Sequence, residues 1–234
     1  MADFSKNIGS SKYKRMSPTW TAGDFEVITA DSVKFLVPSL YLFYVSSLFR
    51  DSQIFQTDIT SEIKYSVTFL DTEFETELVF DKFLDLVVHL PQGDFFSEFR
   101  QPTFHDLQLY RQLFTFMGKW ECSPAIFGVL RNGLEKDAVK SDDHTMLVFA
   151  VGASVEDATL CAAAVNKTYC FVSSKFAPNE WPFWVWKYGP PSYLAALARA
   201  QRGLSVRNPS LKSQFQCELK QMKQLELEYQ TRSE

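Results

Sequence analysis

The chain has 234 residues, of which 46% are hydrophobic and 15% aromatic, and its formal net charge is −4 at pH 7. That composition can bury a core and excludes a globally disordered chain. The acidic balance excludes a broad basic field for nucleic-acid backbones, and no apolar run reaches the ~18–20 residues a bilayer crossing needs, so neither nucleic acid nor membrane is an expected partner.

Residues 1–20 carry Lys6, Lys12, Lys14 and Arg15 without sustained periodicity and read as a flexible tail. They also lack an apolar signal-peptide core, so the expected location is intracellular, in cytoplasm, nucleus or both. Phe25, Val27 and Thr29, then Val33, Phe35 and Val37, alternate with neighbours able to face the other way. This predicts two strands joined by a two-residue turn at Asp31-Ser32. Apolar residues then take helical spacing from Leu40 to a Ser46-x-x-Phe49 ending. Lys64–Phe69 alternates again as a third, half-buried strand.

Val79, Phe83, Leu86, Val87 and Leu90 predict a helix stopped by Pro91-Gln92-Gly93-Asp94. Leu109, Leu113, Phe116, Met117 and Trp120 form the next apolar face. Ser123 and Pro124 fit the N-cap and first position of a helix carrying Ile126, Val129, Leu130 and Leu134.

These residues resemble the BTB/POZ family, whose pattern runs Asp-Val, a hairpin, Phe-x-Val-His, then Leu-x-x-x-Ser-x-x-Phe. Asp24, Phe35, Val37, Leu42, Ser46 and Phe49 fall on it in register, with Pro38 where the family often has His. Gly118-Lys119-Trp120 sits where Asp-Lys-Tyr commonly precedes the last helix of that fold. The resemblance spans roughly residues 23–134. It implies an α/β (α+β) BTB/POZ fold with a small sheet and a helical bundle, here over residues 21–134, followed by a helical C-terminal extension over 135–205. Similar tails follow the domain in stand-alone fungal members.

Within the extension, Asp142–Val151 and Ser154–Phe171 read as helices, with Ser154 and Asp157 in a capping-box arrangement. Asp142-Asp143-His144 reads as a solvated helix start. Asn179–Pro191 holds Trp181, Trp184 and Trp186. In an extended run Trp184 and Trp186 would point to one side, either filling the seam between domain and tail or forming a binding hot spot; the seam is the expected role. Pro191 opens a helix that Gly203 can end. Over 206–234, Leu211, Phe215, Leu219, Met222, Leu225 and Tyr229 step along a last amphipathic helix, expected to be separately removable. Docking on its own chain is the default expectation; pairing with a second copy or receiving a partner are the alternatives.

No arrangement of chemical groups stands out. His89, His105 and His144 lack metal-ligand spacing, and Cys122, Cys161, Cys170 and Cys217 form no Cys-x-x-Cys pair and read as reduced. Neither a nucleophile elbow nor a phosphate-binding glycine loop occurs. Catalytic, cofactor and metal residues are therefore not assigned. The resemblance implies a non-catalytic protein-interaction module that binds itself, as a homodimer, or other proteins, through the hairpin–helix face and later helices. Tyr41, Tyr44, Trp181, Trp184, Trp186, Phe215 and Met222 are the candidate contacts. Long-form dimers of the family use a helix and strand ahead of the hairpin, which residues 1–23 do not display.

An alternative is a substrate adaptor of a cullin ubiquitin ligase, recruited through an apolar-x-acidic motif. That slot falls on Leu109-Tyr110-Arg111, where a base replaces the acid, while Phe96-Ser97-Glu98 matches the letters upstream. An enzyme whose site is assembled from distant residues is the further alternative.

Overall fold

The computed structural model describes residues 13–51, 63, 65–88, 102–167, 181–203 and 210–232. The chain divides into two compact units: Met1–Val88 with Phe116–Ser123, and His89–Thr115 with Pro124–Glu234. The class is α+β, with one mixed four-stranded sheet and a majority of helix.

The stretch read as a tail carries the first strand, β1 (Arg15–Thr21), which pairs in parallel with β3 (Val33–Val37). Its register shifts between Met16 and Thr21. There buried Ser17 turns its hydroxyl back to accept from the N–H groups of Thr19 and Trp20. The predicted hairpin is β2 (Phe25–Ile28) with β3, antiparallel in the register Phe25↔Val37 and Val27↔Phe35. Its turn is longer than two residues. Thr29 N donates to Val33 O at 2.9 Å and Ser32 N to Thr29 O at 2.8 Å, so Ala30, Asp31 and Ser32 form the loop, with Ser32 at φ 68°. A turn ending on a left-handed residue is the usual three-residue hairpin solution. The third predicted strand, β4 (Tyr65–Thr68), runs parallel to β2 and completes the order β1-β3-β2-β4.

Between β3 and β4 lie α1 (Ser39–Val45) and α2 (Ser47–Asp51), and α3 (Glu77–Val88) follows β4. Leu90 and Pro91–Asp94 lie outside the described residues. The core of this unit is a linked array of rings. Phe25 meets Phe49 edge-on at 5.9 Å, Phe49 contacts Phe69, Phe69 contacts Phe80, and Phe80 meets Phe35 at 5.0 Å. Phe35, Leu42 and Phe49, predicted to share a buried cluster, are all fully buried.

The second unit takes most of α4 (Phe104–Lys119), and the division falls inside that helix. Thr103 and Asp106 form its capping box: Thr103 N donates to Asp106 Oδ2 at 2.6 Å and Asp106 N to Thr103 Oγ1 at 3.4 Å. The helix α5 (Pro124–Asp137) also belongs to this unit, as do the stretches read as a separate extension and a separate last helix. At its centre runs α6 (Asp142–Ser154), buried from His144 to Ala153; a helix apolar all round is an interior helix. Packed against it is α7 (Ala158–Lys167), whose cap is Asp157 alone, accepting from Thr159 N and Leu160 N at 3.0 Å. Ser154 ends α6 instead, its hydroxyl donating to Val151 O. The predicted ends of α7 at Tyr169 and Phe171 lie outside the described residues.

The Trp-rich stretch is not extended. Past Trp181 it forms α8 (Phe183–Tyr188), then α9 (Pro191–Gly203) and α10 (Leu211–Arg232) follow. Leu211, Phe215 and Leu219 of α10 are buried, and the helix packs on α9 and α7, so it is part of the unit's core and not an appendage.

Candidate functional site

Two sequence motifs far apart in the chain hold α1 and α2 in place. Pro38 at the α1 N-cap has no side-chain donor or acceptor to offer, and Asp24 supplies the cap from β2's entrance. Its carboxylate accepts from Ser39 N at 2.8 Å and Ser39 Oγ at 2.9 Å. Ser46 breaks the helix after Val45 and caps α2, accepting from Phe49 N at 3.1 Å while donating to Trp120 O at 2.5 Å. Trp120 then stacks flat on Phe49 at 4.4 Å. Thus Ser-x-x-Phe and Gly-Lys-Trp, read separately in the sequence, form one joint.

That joint is completed by Glu75, which sequence reasoning missed. Its buried carboxylate accepts from Leu70 N at 2.9 Å, Asp71 N at 2.8 Å and Trp120 Nε1 at 3.0 Å, and pairs with Lys119 Nζ at 2.8 Å. A buried charge persists only when its oxygens are satisfied in this way. Glu75 lies in a polar loop with no periodicity, so no pattern in the chain could have marked it.

With Leu42 and Val45 turned into the core, α1 presents Leu40 and Tyr44 outward at 72% and 76% exposure. The spacing of four residues puts them on one face. Tyr41 is exposed beside them, and its ring meets Trp20 of β1 edge-on at 6.4 Å. The outcome is an apolar, aromatic helix face on a rigid mount.

The other candidate contacts separate. Phe215 is fully buried, meeting Phe149 at 5.7 Å, and Trp181 is buried against the same Phe149 at 5.5 Å; neither is presented to a partner. Trp184 is half-buried, whereas Trp186 is exposed beside Phe183. Helical geometry accounts for the split: α8 turns Val185 inward and its neighbours outward, where a strand would have sent Trp184 and Trp186 the same way. Met222 is half-buried and lines a cleft of about 440 Å³ with Leu225, Glu226, Gln230, Pro191, Ser192 and Ala195. In the cullin slot, Leu109 and Tyr110 are buried, and Phe96-Ser97-Glu98 lies outside the described residues.

The titratable groups are arranged for packing. Burial pushes the Cys122 thiol up to about 12. Burial, then the charge of Asp157, also raises Cys161, so neither thiol is poised as a nucleophile. Burial, then the neighbouring Asp85, raises the Asp81 carboxyl. His144 is buried, its Nδ1 2.7 Å from Ser141 Oγ, while Asp142 and Asp143 stay exposed; only the acids of that helix start are solvated. His89 lies outside the described residues. Among the described residues no three His, Cys, Asp or Glu side chains gather to hold a metal ion, and no helix is long and apolar enough to cross a membrane.

Comparison of the chain with family models, with curated proteins and with solved structures finds no match.

Proposed function

We propose that this chain is a non-catalytic protein-interaction module of the BTB type, binding itself or other proteins through the outer face of α1. The observation that carries the reading is the pairing of two exposed large side chains, Leu40 and Tyr44, on a helix whose opposite side is wholly buried. Loose surface aromatics are common, but a face anchored by the Asp24 cap and the Ser46–Trp120 joint holds its contacts in one geometry before binding. Aromatic side chains on rigid mounts are the usual anchors of protein interfaces. The hairpin, the helical stretch after it and then the strand β4 stand in the order the BTB resemblance implies, which supports the family reading.

The test is affinity capture from the native cell with the chain and with Leu40→Glu/Tyr44→Ser. Both positions are solvent-facing, so stability should change by no more than about 0.5 kcal/mol. Captured proteins, or the second copy, should be lost. Undiminished capture by the double variant would refute the role of α1. A cullin in the wild-type eluate would assign the adaptor role.

A further inference from the structure

We infer that the C-terminal unit carries a second self-association surface: the outer face of α8 on one copy receives the exposed end of α10 from another. This goes beyond the α1 reading and does not rest on it. Phe183 is 79% exposed and Trp186 42% exposed, and with Lys187 they occupy spacings of three and four residues, hence one side of the helix. The Lys187 ammonium rests on rings, 5.1 Å from the centroid of Tyr188 and 6.0 Å from that of Phe104, and Arg111 lies over the same Tyr188 at 5.1 Å. Lys34, Lys82, Lys119, Lys140 and Lys223 each sit on a carboxylate. Among the described residues Lys187 has none, as is also true of Lys14, Lys136, Lys212 and Lys220, and the α8 face thus combines two exposed aromatic rings with a cation that no carboxylate pairs.

The complementary surface stands on the same chain. From Gln224 to Glu228 every residue of α10 is exposed, although two of them are leucines: Leu225 at 52% and Leu227 at 62%. Glu226 and Glu228 alternate with them. A helix end of exposed residues that reads Leu-Glu-Leu-Glu offers apolar side chains and carboxylates together, the inverse of the aromatic and cationic α8 face. Both surfaces are exposed in the same chain, so neither covers the other in cis. Engagement in trans about a two-fold axis would bury each surface twice, which closes the assembly. Aromatic anchors would supply the contact and the charges its register and sign.

The experiment is a charge exchange read by sedimentation velocity over a concentration series. The chain should self-associate, and association should weaken as salt rises. Lys187→Glu alone and Glu226→Lys/Glu228→Lys alone should each weaken it at least tenfold, with unchanged melting curves, since all three positions face solvent. Mixing the two variants should restore association, because both contacts of the mixed dimer are complementary: the native Lys187 against the native Glu226 and Glu228, and the exchanged charges against each other. A chain that is monomeric throughout, or an association untouched by either variant, overturns the inference. Association abolished by Leu40→Glu/Tyr44→Ser and insensitive to the charge variants overturns it too, and leaves self-pairing to α1. Loss of sedimentation with phosphatidylserine vesicles in Phe183→Ser/Trp186→Ser, without a change in self-association, would assign the α8 face to a membrane and equally overturn it.

Discussion

The two units build their cores from different materials. In the first, large rings are linked one to the next from Phe25 through Phe49, Phe69 and Phe80 to Phe35, with Trp120 stacked on Phe49. In the second, Ala150, Ala153, Ala162, Ala164, Ala196 and Ala200 are buried between helices, and Gly152 lets α6 approach Cys161. A ring array is sensitive to what is removed, because each ring fills volume that its neighbours cannot reach. A small-residue helix packing is sensitive to what is added. The comparison also separates the two modes of presentation: the first unit fixes its exposed face through caps and a buried carboxylate, while the second exposes its apolar residues where α10 outruns its cover.

The largest expected effect follows from α10 belonging to the second core. Ending the chain before Ser210 strips away Leu211, Phe215 and Leu219, each worth about 2–5 kcal/mol when a buried large side chain is lost. The product should be insoluble or lack near-ultraviolet dichroism. A well-folded, cooperative product would show instead that α10 is an appendage.

Next comes Phe49→Ala, which takes the central ring from the first array and leaves Trp120 without its stacking partner. It should cost about 3–5 kcal/mol in denaturant unfolding. An unchanged midpoint would break the description of this unit as a ring network. The reverse substitution, small to larger, belongs to the second unit. A Cβ on Gly152 would lie 2.9 Å from Cys161 Sγ and 3.0 Å from its backbone nitrogen, so Gly152→Ala should destabilise by about 1–3 kcal/mol despite its better helix propensity. A gain in stability would mean the two helices can part without cost.

The smallest effect is alkaline. Burial alone would lower Lys223, but the neighbouring Tyr193, over whose ring the ammonium lies 5.0 Å from the centroid, and then Glu156 hold it above its ordinary 10.5. Burial, against Lys223, raises Tyr193 above its ordinary 10.0. In both cases the folded chain keeps a proton that the unfolded chain has begun to release. The contribution is therefore full below these ordinary values and lost as pH rises through the raised ones. Denaturant midpoints of the wild type should fall over that window, and those of Lys223→Met should fall less. Parallel curves for the two proteins would contradict the pairing.

Much of this was legible in the chain. Strict alternation located the hairpin and β4, and periodic apolar residues located α3, α4 and α10, because a strand or helix with one buried face must write its period into the sequence; α9 was placed by its proline start and glycine stop. The losses have separate causes. β1 was missed because Ser17 and Pro18 interrupt its alternation where the register shifts. α8 was read as extended because Trp, Phe and Val flanked by proline favour strands locally, and tertiary packing of Trp181 and Val185 overrides that preference. The apolar stripe of α10 is continuous from Leu211 to Leu225, and nothing in its spacing says that cover ends near Met222. Glu75 was invisible because a buried carboxylate is defined by its donors, Leu70, Asp71, Lys119 and Trp120, and not by its neighbours in sequence.

The most direct test of α1 as the working face is hydrogen exchange on the chain alone and on the chain in its captured complex, compared segment by segment. Binding should slow exchange in Ser39–Val45 and in the neighbouring β1 around Trp20, with the ring-filled core unchanged. Protection confined to other segments, with Ser39–Val45 exchanging at the same rate in both states, would contradict the account.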